Sequence, residues 1–160
     1  MRKVEYDFLT WTSFPSSLKL LNNESGNESW THFDLPKISV VPGATLRCKV
    51  KAKQENVTYS VSHGGHGLPS MPSFFELPLG TFDWKEFAGE EFKVAPGTHE
   101  MTPYLDGGSG SKGLPGVTWF DDLRVYQDGV LIYSNDFSNW APIIIPAEII
   151  TGAAMIKFIK

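Results

Sequence analysis

The chain has a single cysteine, Cys48, among its 160 residues, so no disulfide can form within it and stability has to come from a buried apolar core. Positive charge is also scarce: 14 Lys and Arg stand against 18 Asp and Glu, a formal net charge of −4. That balance argues against nucleic acid or an anionic membrane surface as a partner, and favours neutral ligands or cations. The opening run MRKVEYDF has two basic residues but no apolar stretch behind them, so it does not read as a secretory leader. Amphipathic helical periodicity is missing throughout. There is no nucleophile elbow with Ser-His-Asp partners. GGSGSKG lacks the strand-to-helix setting of a phosphate-cradling loop. Glycoside hydrolysis needs two carboxylates flanking a cleft, whereas Glu90-Glu91 and Asp121-Asp122 are adjacent pairs that a strand points to opposite faces. The expectation is a protein that is not an enzyme.

What the sequence has is alternation. Hydrophobic residues make up 41% and charged residues 20%, enough for one domain with a sizeable core. The clearest pattern is VPGATLRCKVKAK, which puts Leu46, Cys48, Val50 and Ala52 on one face and Arg47, Lys49 and Lys51 on the other. Cys48 then reads as a core thiol. Further strand patterns are VEYDFLTW, PSSLKLLN, WTHFDLPKISV broken at Pro36, NVTYSVS, FFELPL, GTFDWKEFAGEEFKV and APGTHEMTPYLD. HGGHGLPSMPS and GGSGSKGLPG read as loops, and Asp128-Gly129 as a two-residue hairpin turn. Short strands separated by turn signals predict an all-β fold, an antiparallel β-sandwich of jelly-roll type over residues 1–140. The apolar tail at 141–160, interrupted by Pro142, Pro146 and Glu148, reads as an extra strand, an interface segment or an anchor.

GVTWFDDLRVYQDG raises a local problem. Unbroken alternation groups Val117, Trp119, Asp121, Leu123 and Val125 on one side, and Thr118, Phe120, Asp122 and Arg124 on the other. One aspartate then faces an apolar layer, where it needs a cation, a metal or backbone N–H donors.

In order and spacing, KISVVPGATLRCKVKAK, GTFDWKEFAGEEFKVAPGTHEMTPYLD and GVTWFDDLRVYQDG resemble the carbohydrate-binding modules of the galactose-binding-like jelly-roll superfamily, of the kind appended to xylanases and other glycoside hydrolases. The resemblance runs from about Ser16 to Tyr126. It implies non-catalytic binding of a polysaccharide or glycan, and a structural calcium beside Asp121 and Asp122. Leu9 stands where those modules carry a calcium-binding glutamate. Sugar rings need flat apolar faces and polar groups for their hydroxyls. Trp30, Trp11, Tyr59, Phe74, Phe75 and Tyr104 are the stacking candidates, with Asn56, His63, His66, Glu76 and Asp106 as polar helpers, while Trp84 and Trp119 read as packing residues. His63 and His66 also have metal-ligand spacing, though without a recognisable third ligand. An extracellular or cell-surface setting is expected, with glycosylation acceptors at Asn23, Asn27 and Asn56, and with a larger host protein or a second copy as further partners. The alternative is a structural subunit of a surface layer, filament or viral shell. It would use the tail for subunit contact, an idea supported by the echo between YDFLTW and NDFSNW.

Overall fold

A computed structural model describes residues 1–13, 16–25, 29–68 and 70–138. The tail at 141–160 and the acceptor Asn27 lie outside the described residues. Thirteen strands follow in chain order: β1 (Arg2–Asp7), β2 (Ser17–Asn22), β3 (Thr31–Asp34), β4 (Ile38–Ser39), β5 (Thr45–Val57), β6 (His63–Gly65), β7 (Phe75–Glu76), β8 (Gly80–Ala88), β9 (Phe92–Lys93), β10 (Glu100–Met101), β11 (Tyr104–Gly107), β12 (Gly116–Gln127) and β13 (Val130–Asn135). No helix among the described residues is long and apolar enough to cross a membrane.

The main sheet runs β1-β2-β12-β5-β8, with β13 also paired to β12 and β9 to β5. A four-stranded sheet, β3-β11-β6-β7, faces it, and β4 pairs with β10. All these pairings are antiparallel. The layers follow from period-two burial: Leu18 and Leu20 on β2, and Leu46, Cys48, Val50 and Ala52 on β5, point inward and are fully buried. Leu105 and Phe75 answer from the small sheet. The Phe75 and Phe120 rings, 6.1 Å apart, join the two sheets. Burial pushes the Cys48 thiol far up, which makes it an inert core group.

Three expectations need correction. NVTYSVS is not a separate strand: β5 continues to Val57, and residues 58–62 form a connection. HGG is not loop but β6, paired to both β11 and β7. The alternation through the double aspartate also breaks. Asp122 adopts φ 51, and the β12–β5 register shifts between Asp121 and Arg124. This β-bulge resets the pleat, so Phe120, Leu123 and Val125 all reach the core. Trp119 and Asp121, aligned with Lys53 and Lys51, lie on the outer face instead. There the Trp119 indole N–H donates to Asp7 Oδ2 at 2.7 Å, with Lys19 and Lys53 ammonium groups 5.5 and 5.6 Å from its ring.

Gly89 is sterically required. A Cβ on Gly89 would sit 1.6 Å from the Phe74 carbonyl oxygen, a backbone atom with no room to yield. Gly89→Ala is therefore expected to lower unfolding free energy by about 2 kcal/mol or more, read as a lower denaturant midpoint at unchanged m-value.

Candidate functional site

The outer face of the four-stranded sheet carries two rows of polar and aromatic groups. Strand register aligns His32 with Asp106 and Asp106 with His63, and His63 in turn with Glu76. One row therefore crosses all four strands. The next row holds Asp34, Tyr104 and Gly65. Gly65 is what lets Tyr104 lie across the sheet, because a Cβ there would fall 2.4 Å from the ring. The Tyr104 ring centre is 4.9 Å from that of His32 and 5.8 Å from that of His63. Trp30, just before β3, meets His63 edge-on at 5.9 Å and anchors its indole N–H on the Val61 carbonyl at 2.8 Å. A cavity of about 320 Å³, lined by Gly65, His66, Leu68, Met71 and Tyr104 among others, adjoins this platform.

Asp106 is the polar centre. It is buried, with Oδ1 taking a 2.7 Å hydrogen bond from His32 Nδ1 and Oδ2 lying 3.3 Å from His63 Nε2. His32 Nε2 is also 3.0 Å from Asp34 Oδ1. Carboxylates only accept, so satisfying both ring nitrogens of His32 requires the imidazolium. Burial works against that charge, but the hydrogen bond and charge of Asp106, then those of Asp34, outweigh it and raise the His32 pKa. A raised folded-state pKa stabilises the protein fully below the unfolded value of about 6.5, and that stabilisation fades as pH climbs through the folded pKa. The Tm advantage of wild type over His32→Gln is therefore expected to be largest below about pH 6 and to vanish in mild alkali. It stays small because the ring is half exposed. An advantage that grows with pH would contradict the assignment.

The expected site residues divide. Tyr104, Trp30, His63 and Glu76 come together on this face with Asp106. Phe74 and Phe75 do not: at 2% and 4% exposure they are core rings without a free face. His66 borders the cavity but is itself buried, its ring 5.2 Å from Phe74 and 5.5 Å from Phe92, with Nε2 2.7 Å from the Pro72 carbonyl oxygen. His63 points outward and His66 inward, so their metal-ligand spacing does not bring them to one site; no metal-holding group of three His, Cys, Asp or Glu occurs among the described residues. Asn56, at φ 57, lies at the end of β5, and Tyr59, half exposed, just after it. Trp11 belongs to the segment over the opposite sheet, where Thr12 and Ser13 hold Asp121. His32, Asp34 and Gly65 were not anticipated, although alternation in THFD already sets His32 and Asp34 on one side and Phe33 on the other.

Both aspartates already have partners among the described residues. Asp121 Oδ2 accepts from the Thr12 amide at 2.7 Å, the Thr12 hydroxyl at 2.7 Å and the Ser13 amide at 2.6 Å. Asp122 Oδ2 is 3.1 Å from Lys51 Nζ and 2.5 Å from Arg124 Nη2, cations that would repel a metal ion. Asp121 Oδ1 is buried and without a hydrogen-bond partner among the described residues. Calcium takes six to eight oxygens.

No protein-family model and no curated protein matches the chain. Solved structures match in fold. A family 16 carbohydrate-binding module superposes with a TM-score of 0.53 at 12% identity, over 78% of this chain and 86% of that one. A CBM4 carbohydrate-binding module gives 0.51 at 14% identity, over 79% and 90%. The enzymatically active domain of tailspike protein 4 of bacteriophage CBA120 gives 0.52 at 14% identity; 79% of this chain is covered, but it spans only 18% of the tailspike chain. The chain thus has the β-sandwich fold found in carbohydrate-binding modules.

Proposed function

We propose that the protein is a non-catalytic glycan-binding module of an extracellular or cell-surface protein, and that it holds sugar on the outer face of the four-stranded sheet. The observation that carries this reading is the Tyr104 ring laid over Gly65 and flanked by His32 and His63, beside an open cavity. Tyr104 supplies an apolar plate for the C–H face of a pyranose, and Trp30 extends the rim. Asp106, Asp34, Glu76 and the two histidines supply hydrogen bonds to hydroxyls. Three carboxylates and no lysine or arginine on these rows favour neutral sugars over acidic ones. The fold likeness to two carbohydrate-binding modules supports the same reading. A glycan array probed with wild type, Tyr104→Ala and Trp30→Ala tests it. Binding of a neutral glycan that Tyr104→Ala loses is the expected result, and wild type silent on every neutral glycan would end the proposal.

A second reading is a building block of a larger assembly. The likeness to under one-fifth of a phage tailspike chain favours it, because there the sandwich is one part of a much longer protein. Self-association of the full chain in solution, together with absence of glycan binding, would put this reading first.

A further inference from the structure

The outer face of the main sheet, on the other side of the sandwich, carries a second cavity of about 240 Å³, lined by Thr45, Arg47, Lys49, Glu91, Tyr126 and Gly129. Strand geometry builds it. Alternation sends Thr45, Arg47 and Lys49 of β5 outward, and the β12 register sets Tyr126 opposite Arg47 and Arg124 opposite Lys49. The Asp128-Gly129 turn, with φ values of 49° and 79°, closes one end. It is pinned to β5 twice: Thr45 N–H donates to Asp128 Oδ1 at 2.9 Å, and Asp128 N–H donates to the Thr45 carbonyl at 2.8 Å. Lys93 reaches in from β9, its Nζ donating to Thr45 Oγ1 at 2.5 Å.

In a chain of net charge −4, this pocket gathers cations. The carboxylates around it are mostly committed: Asp122 is shared by Lys51 and Arg124, and Glu86 stands 3.8 Å from Lys49. Arg47 makes no ion pair among the described residues. Its planar guanidinium suits a carboxylate, which it can grip with two parallel hydrogen bonds. Tyr126 lies beside it as a flat apolar surface, and Glu91 is the lining carboxylate, which can accept from hydroxyls. An anion with a ring and hydroxyls uses all three, whereas a densely sulfated chain would meet repulsion from Glu91.

We propose that this pocket binds an acidic sugar, a uronic acid residue of a glycan, with its carboxylate on Arg47 and its ring against Tyr126. The site is separate from the Tyr104 face and does not depend on it. Calorimetric titration of the full chain with trigalacturonate, and with its fully methyl-esterified form, tests the assignment. Wild type should bind the acid and not the ester, with affinity falling as salt is added. Arg47→Ala should weaken binding about tenfold, Tyr126→Leu should weaken it as well, and Tyr104→Ala should leave it unchanged. Arg47 is exposed, so its replacement leaves the core untouched. No binding, equal binding of the ester, or loss in Tyr104→Ala would overturn the proposal. Inorganic sulfate binding as tightly as trigalacturonate would reduce the pocket to a site for an adventitious ion only, and tighter binding of a sulfated galactan oligomer would remove the uronate assignment.

Discussion

Asp121→Ala is expected to lower the unfolding free energy by about 3 kcal/mol, which for a domain of this size lowers Tm by roughly 10 °C. Asp121 is fully buried, and one of its oxygens collects two backbone amides and a hydroxyl from Thr12 and Ser13. Alanine strands those donors and leaves a hole beneath the segment that follows β1. Asp121→Asn keeps the shape and one acceptor oxygen but loses the charge, so it should cost less. The calcium question is settled by the same melts. With hydrogen-bond donors on Asp121 and cations on Asp122, chelation of wild type with EDTA is expected to leave Tm where it was. A chelator-induced drop in wild type that is absent in Asp121→Ala would instead give Asp121 Oδ1 a metal partner.

Period-two burial identifies β5 without help, because each inward position from Leu46 to Ala52 is apolar and each outward one from Arg47 to Lys51 is charged. In β12 the same rule works up to Phe120 and again from Leu123, but these two core positions are three apart, an odd step where unbroken alternation demands an even one. The extra residue is Asp122 at positive φ, a conformation that aspartate tolerates better than most side chains. Its presence in a strand was visible in the sequence; the change of phase it causes was not.

The small sheet was harder to read because its strands are two to four residues long, too short for alternation to declare itself. His32, Asp106 and His63 are 31 to 74 positions apart from one another in the chain, and only the β3-β11-β6 pairing puts them in a row. Phe74 and Phe75 show the converse error. From the sequence both read as stacking rings; instead both are buried, because Phe74 precedes β7 and packs under His66 while Phe75 faces Phe120. Gly65 carried a legible hint, since a glycine inside a strand marks a close approach by something else. Here that something is the Tyr104 ring.

Tyr104→Ala is accordingly expected to weaken neutral-glycan binding about 30-fold, the effect of losing a central aromatic hot spot. The ring owes its position to Gly65 below and to His32 and His63 on its flanks, so it is ordered before a ligand arrives and little entropy is lost when it stacks. Tyr104→Phe separates the plate from its hydroxyl: retained affinity assigns the work to the ring, and loss equal to that of alanine assigns it to the phenol. Gly65→Ala is the complementary variant, because its methyl group would push the ring off the sheet without removing it. If the platform geometry is what binds, Gly65→Ala loses affinity almost as fully as Tyr104→Ala while Trp30 remains in place. Affinity that survives both changes would show that the sugar sits elsewhere on the sandwich.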